Sequence, residues 1–394
     1  MTAVLIAADV RFPLERANGV QIVKTAAALS RAGAVATLLV RDSDPRPTDE
    51  ILNLFGIAPG GVRVRRIAVL HRRGSFVVPR TAFLARALAA CLAALHRGAV
   101  VFTRDLQLAD LLLSVRRRAR VVYEAHAVES ILYGERGALY GTADRPQAAK
   151  ADRLRRREAR VWRRARAFVA TTTGIRDTFT EQFGARTDVA VIPNGCDVPA
   201  DRTFPGLATE RPPRVLYAGQ LYPWKGVDVL VDATARVPAA RLVILGGIAG
   251  EADAERVRAR AEALGIADRV ELRGHVPQAE VARELARARV VAVPVRQTEM
   301  TRRHTSPLKA FEAMAAGRPI VASDLPSSRE FLRHGENAWL VPPDDAAALA
   351  DGLTRLLGDA ALSERIARTA FDDAVAFSWD ARARRLLDVF AEIA

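Results

Sequence analysis

Two short stretches carry residues whose types and spacing suit phosphate chemistry. The first is Tyr217-Ala-Gly219-Gln220-Leu-Tyr-Pro-Trp224-Lys225-Gly226, which follows a strand-like run and opens a helix. A strand-to-helix turn aims free backbone N–H groups and the positive end of the helix dipole at one spot. Glycines there let a phosphate approach, and Lys225 adds a full charge. The plainer reading is a pair of tight turns and a solvated lysine. The second stretch is His304-Thr-Ser306-Pro307-Leu308-Lys309-Ala-Phe-Glu312. Ser306 can cap the helix that follows, and Pro307 suits its first turn. The N–H groups near Ser306–Lys309 would again face an anion. Glu312, a turn and a half further on, could accept both hydroxyls of a ribose beside a diphosphate held at the helix start. The plainer reading is a surface glutamate with a partner on its own helix.

Other candidates are weaker. Asp42-Ser43-Asp44 is a D-x-D in a loop before Pro45, and two loop carboxylates are slight grounds for a metal. His71, His275 and His334 lie on separate elements without ligand spacing, so no metal is expected. His126 in Tyr123-Glu-Ala-His, taken alone, reads as a core histidine. The first strand runs into Asp9-Val-Arg-Phe-Pro and not G-x-G-x-x-G, which argues against a dinucleotide-dependent dehydrogenase.

The elements that must position these residues follow an alternating pattern. Short apolar runs at Ala3–Ala8, Val35–Val40, Ala99–Phe102, Arg120–Tyr123, Ala167–Ala170 and Val189–Ile192 alternate with amphipathic segments such as Val20–Ala32. A polar stretch punctuated by Pro and Gly, 201–213, reads as a linker. The alternation then restarts at Val215–Ala218, Arg241–Leu245, Val270–Leu272, Val290–Val293 and Pro319–Ala322. Helices follow at Lys309–Ala316 and near 344–357, 361–374 and 379–392. This predicts an α/β chain of two doubly wound, Rossmann-like domains facing a cleft, over 1–200 and 214–376. A length of 394 residues suits two cores.

Composition bounds the rest. Two cysteines, Cys91 and Cys196, are too few for a disulfide framework and fit a reducing compartment. No apolar run approaches the roughly 20 residues of a spanning helix, so a cytoplasmic protein is expected. Charge is divided unevenly. Residues 1–200 hold 32 Lys and Arg against 18 Asp and Glu, whereas 201–394 hold 27 of each. Basic runs at Arg116–Arg118 with Arg120, and from Arg153 to Arg166, concentrate the excess. Either the charge is a solvated helix face, or Arg153, Arg155, Arg156, Arg157 and Arg160 meet an anionic membrane surface or acceptor. Only four of the 59 basic residues are lysines, which points to coding bias as well. No recognition motif for nucleic acid accompanies the charge, and none is expected as a partner.

The stretch from His304 through Ala313-Met-Ala-Ala-Gly317-Arg-Pro319-Ile-Val resembles the donor-site helix of retaining GT4 glycosyltransferases, with E-x7-E followed by AMA-x-G-x-P-V/I-V. Further segments agree in order: Ile192-Pro-Asn194-Gly195-Cys-Asp197, the Gly219–Gly226 turn, and Leu272-Arg-Gly274-His275-Val276-Pro277. The resemblance implies a GT-B fold whose last helix, from about 377, crosses back to the first domain. It implies no cofactor beyond the donor, a nucleoside diphosphate sugar, with a hydroxyl of a glycan, lipid-linked or small molecule as acceptor. Lys225, with Gly219 and Gln220, would hold the diphosphate, and Glu312 the ribose. Gly274 to Val276 would meet the base through backbone. Ser306, Pro307 and Leu308 would present amides to phosphate or sugar, beside Lys309. In the first domain Gly19 would sit in the loop closing under the phosphates, and Asn194 lies in a shared motif. His126 would face the transferred sugar. Two positions depart from the pattern: the first acid of the pair is His304, and a basic residue often found after the turn glycine is Gln220. Rival readings within the fold are an epimerase, a phosphorylase or a non-catalytic homologue.

Overall fold

The computed structural model describes residues 2–13, 16–68, 79–143, 145–247 and 250–393, so His71 lies outside the described residues. They build two parallel sheets. The first contains β1 (Ala3–Phe12), β2 (Val35–Asp42), β3 (Arg63–Ala68), β4 (Val100–Thr103), β5 (Val121–Ala125), β6 (Ala167–Ala170) and β7 (Val189–Val191), in the order β3-β2-β1-β4-β5-β6-β7. The second contains β8 (Arg214–Ala218), β9 (Arg241–Leu245), β10 (Val270–Leu272), β11 (Val290–Val293), β12 (Ile320–Ser323) and β13 (Trp339–Val341), in the order β10-β9-β8-β11-β12-β13. Every ladder is parallel. Strands covered by helices on both faces read as unbroken apolar runs, and β4, β6, β11 and β12 are buried at every position.

Two strands escape sequence reading. β3 is Arg-Val-Arg-Arg-Ile-Ala on the sheet edge, where its arginines reach water and Arg66 reaches Asp42 and Asp44. β13 is only three residues long. β1 outruns its expected end at Ala8 because Asp9, which looks like a stop, is neutralised by Arg41 and by Arg80 at 2.7 Å. Asp42 and Asp44 are likewise committed to arginines: Arg66 bonds the first, and Arg46 bonds both carboxylate oxygens of the second.

The chain divides into two compact units. One comprises Met1–Ser130, Gln147–Asn194 and Trp379–Ala394; the other comprises Ile131–Pro146 and Gly195–Ser378. The stretch 201–213 is not a free linker, because it packs on the second unit. Phe204 meets Phe371 edge-on at 5.9 Å and lies against Gly317, and Arg318 donates to the Gly206 carbonyl. Residues 131–146 also belong to the second unit. The Glu135 carboxylate accepts from the amides of Glu299 (3.0 Å) and Met300 (2.9 Å), and Tyr140 packs edge-on against Tyr222 at 4.9 Å.

The final helix, Trp379–Ala391, is tied into the first unit by a buried cation. Arg382 bonds Glu124, and its Nη1 donates to the carbonyls of Ile192 (2.9 Å) and Pro193 (2.7 Å). Both side chains of the pair are 2 % exposed. Burial opposes the charge on Glu124, but Arg382, His126 and Arg104 together outweigh it and hold the carboxyl well below its usual range. Removing one partner strands a buried ion, which costs about 3–5 kcal/mol. Arg382→Met is therefore expected to lower the urea midpoint of the first unit sharply, with Arg382→Met/Glu124→Gln recovering most of the loss.

Candidate functional site

In a doubly wound sheet the strand order reverses at one gap, and the crevice beyond the carboxyl ends of the strands on either side is the binding edge. In the second sheet that gap separates β8 from β11. The turn after β8 and the loop after β11 are laced together across it. Arg296 N–H donates to the Trp224 carbonyl at 2.9 Å. Gly226 takes a left-handed φ of +69°, and a Cβ there would stand 1.8 Å from the Pro294 carbonyl oxygen. Only glycine permits both that backbone turn and that approach. The same constraint recurs at Gly246 after β9, where a Cβ would meet the Gly219 oxygen at 1.8 Å. Gly246 N–H also donates to the Gly274 carbonyl at 2.7 Å. The three loops after β8, β9 and β10 thus form one continuous rim.

Lys225 stands in this rim at the end of a short 3-10 turn, Pro223–Lys225, with its Nζ 3.9 Å from the Trp224 ring centre. Burial, then the charge of Lys309, pushes its ammonium down from the usual 10.5 to about 8. Lys309 belongs to the helix Leu308–Ala315, which follows β11. Its Nζ donates to Glu312 Oε2 at 2.7 Å, and Gln278 Nε2 donates to Glu312 Oε1 at 3.2 Å. Glu312 therefore has the partner on its own helix that the plainer reading foresaw, yet its side chain is only 13 % exposed and stands beside the lysine pair. Lys225, Lys309 and Glu312 are brought to one edge. Gln278 joins them, and nothing in its sequence context marked it.

The helix start differs from expectation. Its N-cap is Pro307 and no side chain caps it, so Ser306 lies one position too early to fill that role. The amides of Leu308 and Lys309 occupy the first turn, where backbone donors have no partner within the helix. Gln220 holds the turn through its carbonyl, which accepts from the Tyr217 hydroxyl at 2.6 Å. The Gly274 carbonyl is engaged by Gly246, while Val276 packs against the core. His304 is buried at the end of the helix Glu299–His304.

In the first unit, Gly19 lies in the first turn of the helix Ala17–Arg31 and not in a loop, because that helix begins three residues earlier than its apolar pattern suggests. Asn194 is buried after β7. His126 follows β5, its Nε2 2.9 Å from Glu124 Oε2. Burial, followed by the Arg104 cation, pushes its imidazole down to about 4 despite the opposing pull of Glu124. The ring is neutral at pH 7 and positions by hydrogen bonding far better than it abstracts protons, since an efficient base has a pKa near the working pH.

This architecture, two Rossmann-like units with parallel sheets, is that of the GT-B transferases. Sucrose-phosphate synthase of Thermosynechococcus elongatus superposes with a TM-score of 0.73 over 100 % of this chain and 99 % of its own, at 22 % identity. HepE of Anabaena, solved with UDP-glucose, gives 0.73 over the whole of both chains at 18 % identity. The model of group 1 glycosyl transferases matches residues 212–359, and that of the glycosyl transferase 4-like domain matches 18–195. The chain belongs to the GT4, or group 1, glycosyltransferases. A D-inositol 3-phosphate glycosyltransferase of Xylanimonas cellulosilytica is 35 % identical over 242 residues, 57 % of each chain. A phosphatidyl-myo-inositol mannosyltransferase of Mycobacterium leprae is 34 % identical over 52 % of this chain and 54 % of its own. The chain thus spans little more than half the length of these relatives.

The depressed Lys225 sets a pH dependence. The fold disfavours the charged lysine, so it carries a cost at pH below about 8 that disappears above the unfolded value of 10.5. A diphosphate bound here would favour the charged form and raise its pKa, so that Lys225 would take up a proton on binding. UDP affinity measured by titration calorimetry is therefore expected to fall as pH rises through 8, and Lys225→Arg should flatten the profile.

Proposed function

We propose that this chain transfers a hexose from a nucleoside diphosphate sugar, UDP- or GDP-linked, to a hydroxyl with retention of anomeric configuration. The observation that carries the reading is the pair Lys225 and Lys309 at the switch point of the second sheet, in a chain of this family. Two neighbouring ammonium groups on a rim that already presents helix amides form a site short of negative charge, and a diphosphate supplies it. The HepE structure contains UDP-glucose on the same fold, which supports a nucleotide sugar as donor. One named relative is described as a D-inositol 3-phosphate glycosyltransferase and the other as a phosphatidyl-myo-inositol mannosyltransferase. A phosphate-bearing polyol acceptor suits the basic first half of this chain as well.

The chemistry follows from charge. Breaking the anomeric C–O bond leaves extra negative charge on the departing diphosphate and oxocarbenium character on the sugar. Lys225 and the amides of Leu308 and Lys309 would meet the first, which is the largest contribution such a site can make. Glu312 would exchange its present bonds for the ribose hydroxyls. The departing phosphate oxygen takes the acceptor proton on the same face, so no separate base is required. Neutral His126 would orient the sugar.

No metal enters this scheme, and full activity in excess chelator is the expected result. Lys225→Ala and Glu312→Ala should each lower kcat/KM at least tenfold, a loss of ~1.4 kcal/mol or more of transition-state stabilisation. Wild-type turnover in both variants would defeat the assignment. His304, in place of the expected acid, motivates a second reading as a nucleotide-sugar binder without turnover. Acceptor-dependent release of UDP or GDP separates the two.

A further inference from the structure

The arginine runs of the first unit converge on one place. Arg117, Arg118 and Arg120 lie just ahead of β5, Arg163, Arg164 and Arg166 just ahead of β6, and Arg186 just ahead of β7. Because these strands are parallel neighbours, three segments distant in sequence are set side by side at the amino ends of the sheet. They line an open concavity of about 860 Å³ floored by Trp162, Phe183 and Ile393. His126 stands at the opposite end of β5, about five residues or 16 Å along the strand. The concavity is therefore separate from any acceptor subsite at His126.

Coding bias toward arginine does not account for this cluster. In the second unit many exposed arginines come with acids, Arg258 with Glu255, Arg260 with Asp232, Arg329 with Asp324 and Arg368 with Glu364, and those without one among the described residues, such as Arg236, Arg355 and Arg365, are not gathered around one hollow. Here, among the described residues, Asp188 is the only carboxylate on the wall, and Arg186 holds it at 2.6 Å. Among the described residues, Arg117, Arg118, Arg163 and Arg166 have no ion pair. Arg186 itself is braced by the carbonyls of Trp162 and Ala165, so one cationic wall is rigid. Four helices, Leu106–Val115, Ala148–Arg164, Thr173–Phe183 and Trp379–Ala391, end beside the site. Their dipoles contribute about −0.5 charge each, which offsets about two arginines and leaves the rest of the excess. Of the five arginines that the sequence offered for a membrane on the same helix, Arg157 and Arg160 are spent on Asp110, at 3.6 and 2.8 Å.

We propose that this concavity is a second anion site, which takes a compact group bearing clustered phosphates. A concave wall suits an inserted polyphosphate better than a flat charged surface, and guanidinium forks bind phosphate oxygens in pairs. Free polyphosphate and a multiply phosphorylated lipid headgroup share this chemistry.

The test uses inorganic triphosphate as probe, with the nucleotide site saturated by UDP, in titration calorimetry at low salt. The variant Arg118→Gln/Arg163→Gln/Arg166→Gln removes charges that have no bond to any of the described residues. It is expected to weaken triphosphate at least tenfold while leaving UDP affinity and the thermal midpoint unchanged, and Arg258→Gln/Arg368→Gln should change neither. Vesicles carrying phosphatidylinositol bisphosphate, with and without competing triphosphate, then assign the source: capture that triphosphate reverses identifies a headgroup, and no capture identifies a free anion. Equal triphosphate affinity in variant and wild type overturns the proposal. So does binding to phosphatidylglycerol vesicles without measurable triphosphate binding, which would make the patch a flat membrane contact.

Discussion

Two lysines that repel each other are the feature around which the second unit is arranged. Among the described residues no carboxylate pairs with Lys225, and Lys309, itself bonded to Glu312, adds a like charge beside it. Such an arrangement persists only because the backbone forces it. Gly226 and Gly246 let carbonyl oxygens stand where any side chain would place a carbon, and that locks the turn after β8 against its neighbours. The free energy of packing the sheet holds the cationic rim in place, and the anion proposed for it would relieve the repulsion. Preorganisation of this kind lets a site stabilise charge without rearranging as the charge appears.

Glu312 shows how the same edge is kept ready. Lys309 and Gln278 hold its two carboxylate oxygens, one from its own helix and one from the helix after β10. The carboxylate is oriented but its bonds are exchangeable. In the first unit the logic is reversed. Glu124 is held ionised by Arg382, while burial and the Arg104 cation hold His126 neutral beside it against the pull of that carboxylate. A buried ion pair and the histidine share a single carboxylate.

The two units handle arginine differently, and the contrast is physical. Acids and bases balance in the second half of the chain and pair on its surface. The first half keeps its excess, and its sheet topology gathers that excess at the amino ends of β5, β6 and β7. Charge segregated in this way creates a local field that a balanced surface lacks.

Much of this was legible from residue order. Short apolar runs located eleven of the thirteen strands, and the glycines of the turn after β8, Lys225 and the helix bearing Glu312 stood out by type and spacing, because those signals lie within a few residues of one another. What the tertiary structure decided depends on which strands become neighbours. It placed Lys309 against Lys225, brought Gln278 to Glu312, moved 131–146 into the second unit and set three arginine runs around one hollow. It also neutralised His126, because burial and a neighbouring cation act through space and leave no mark in the order of residues along the chain.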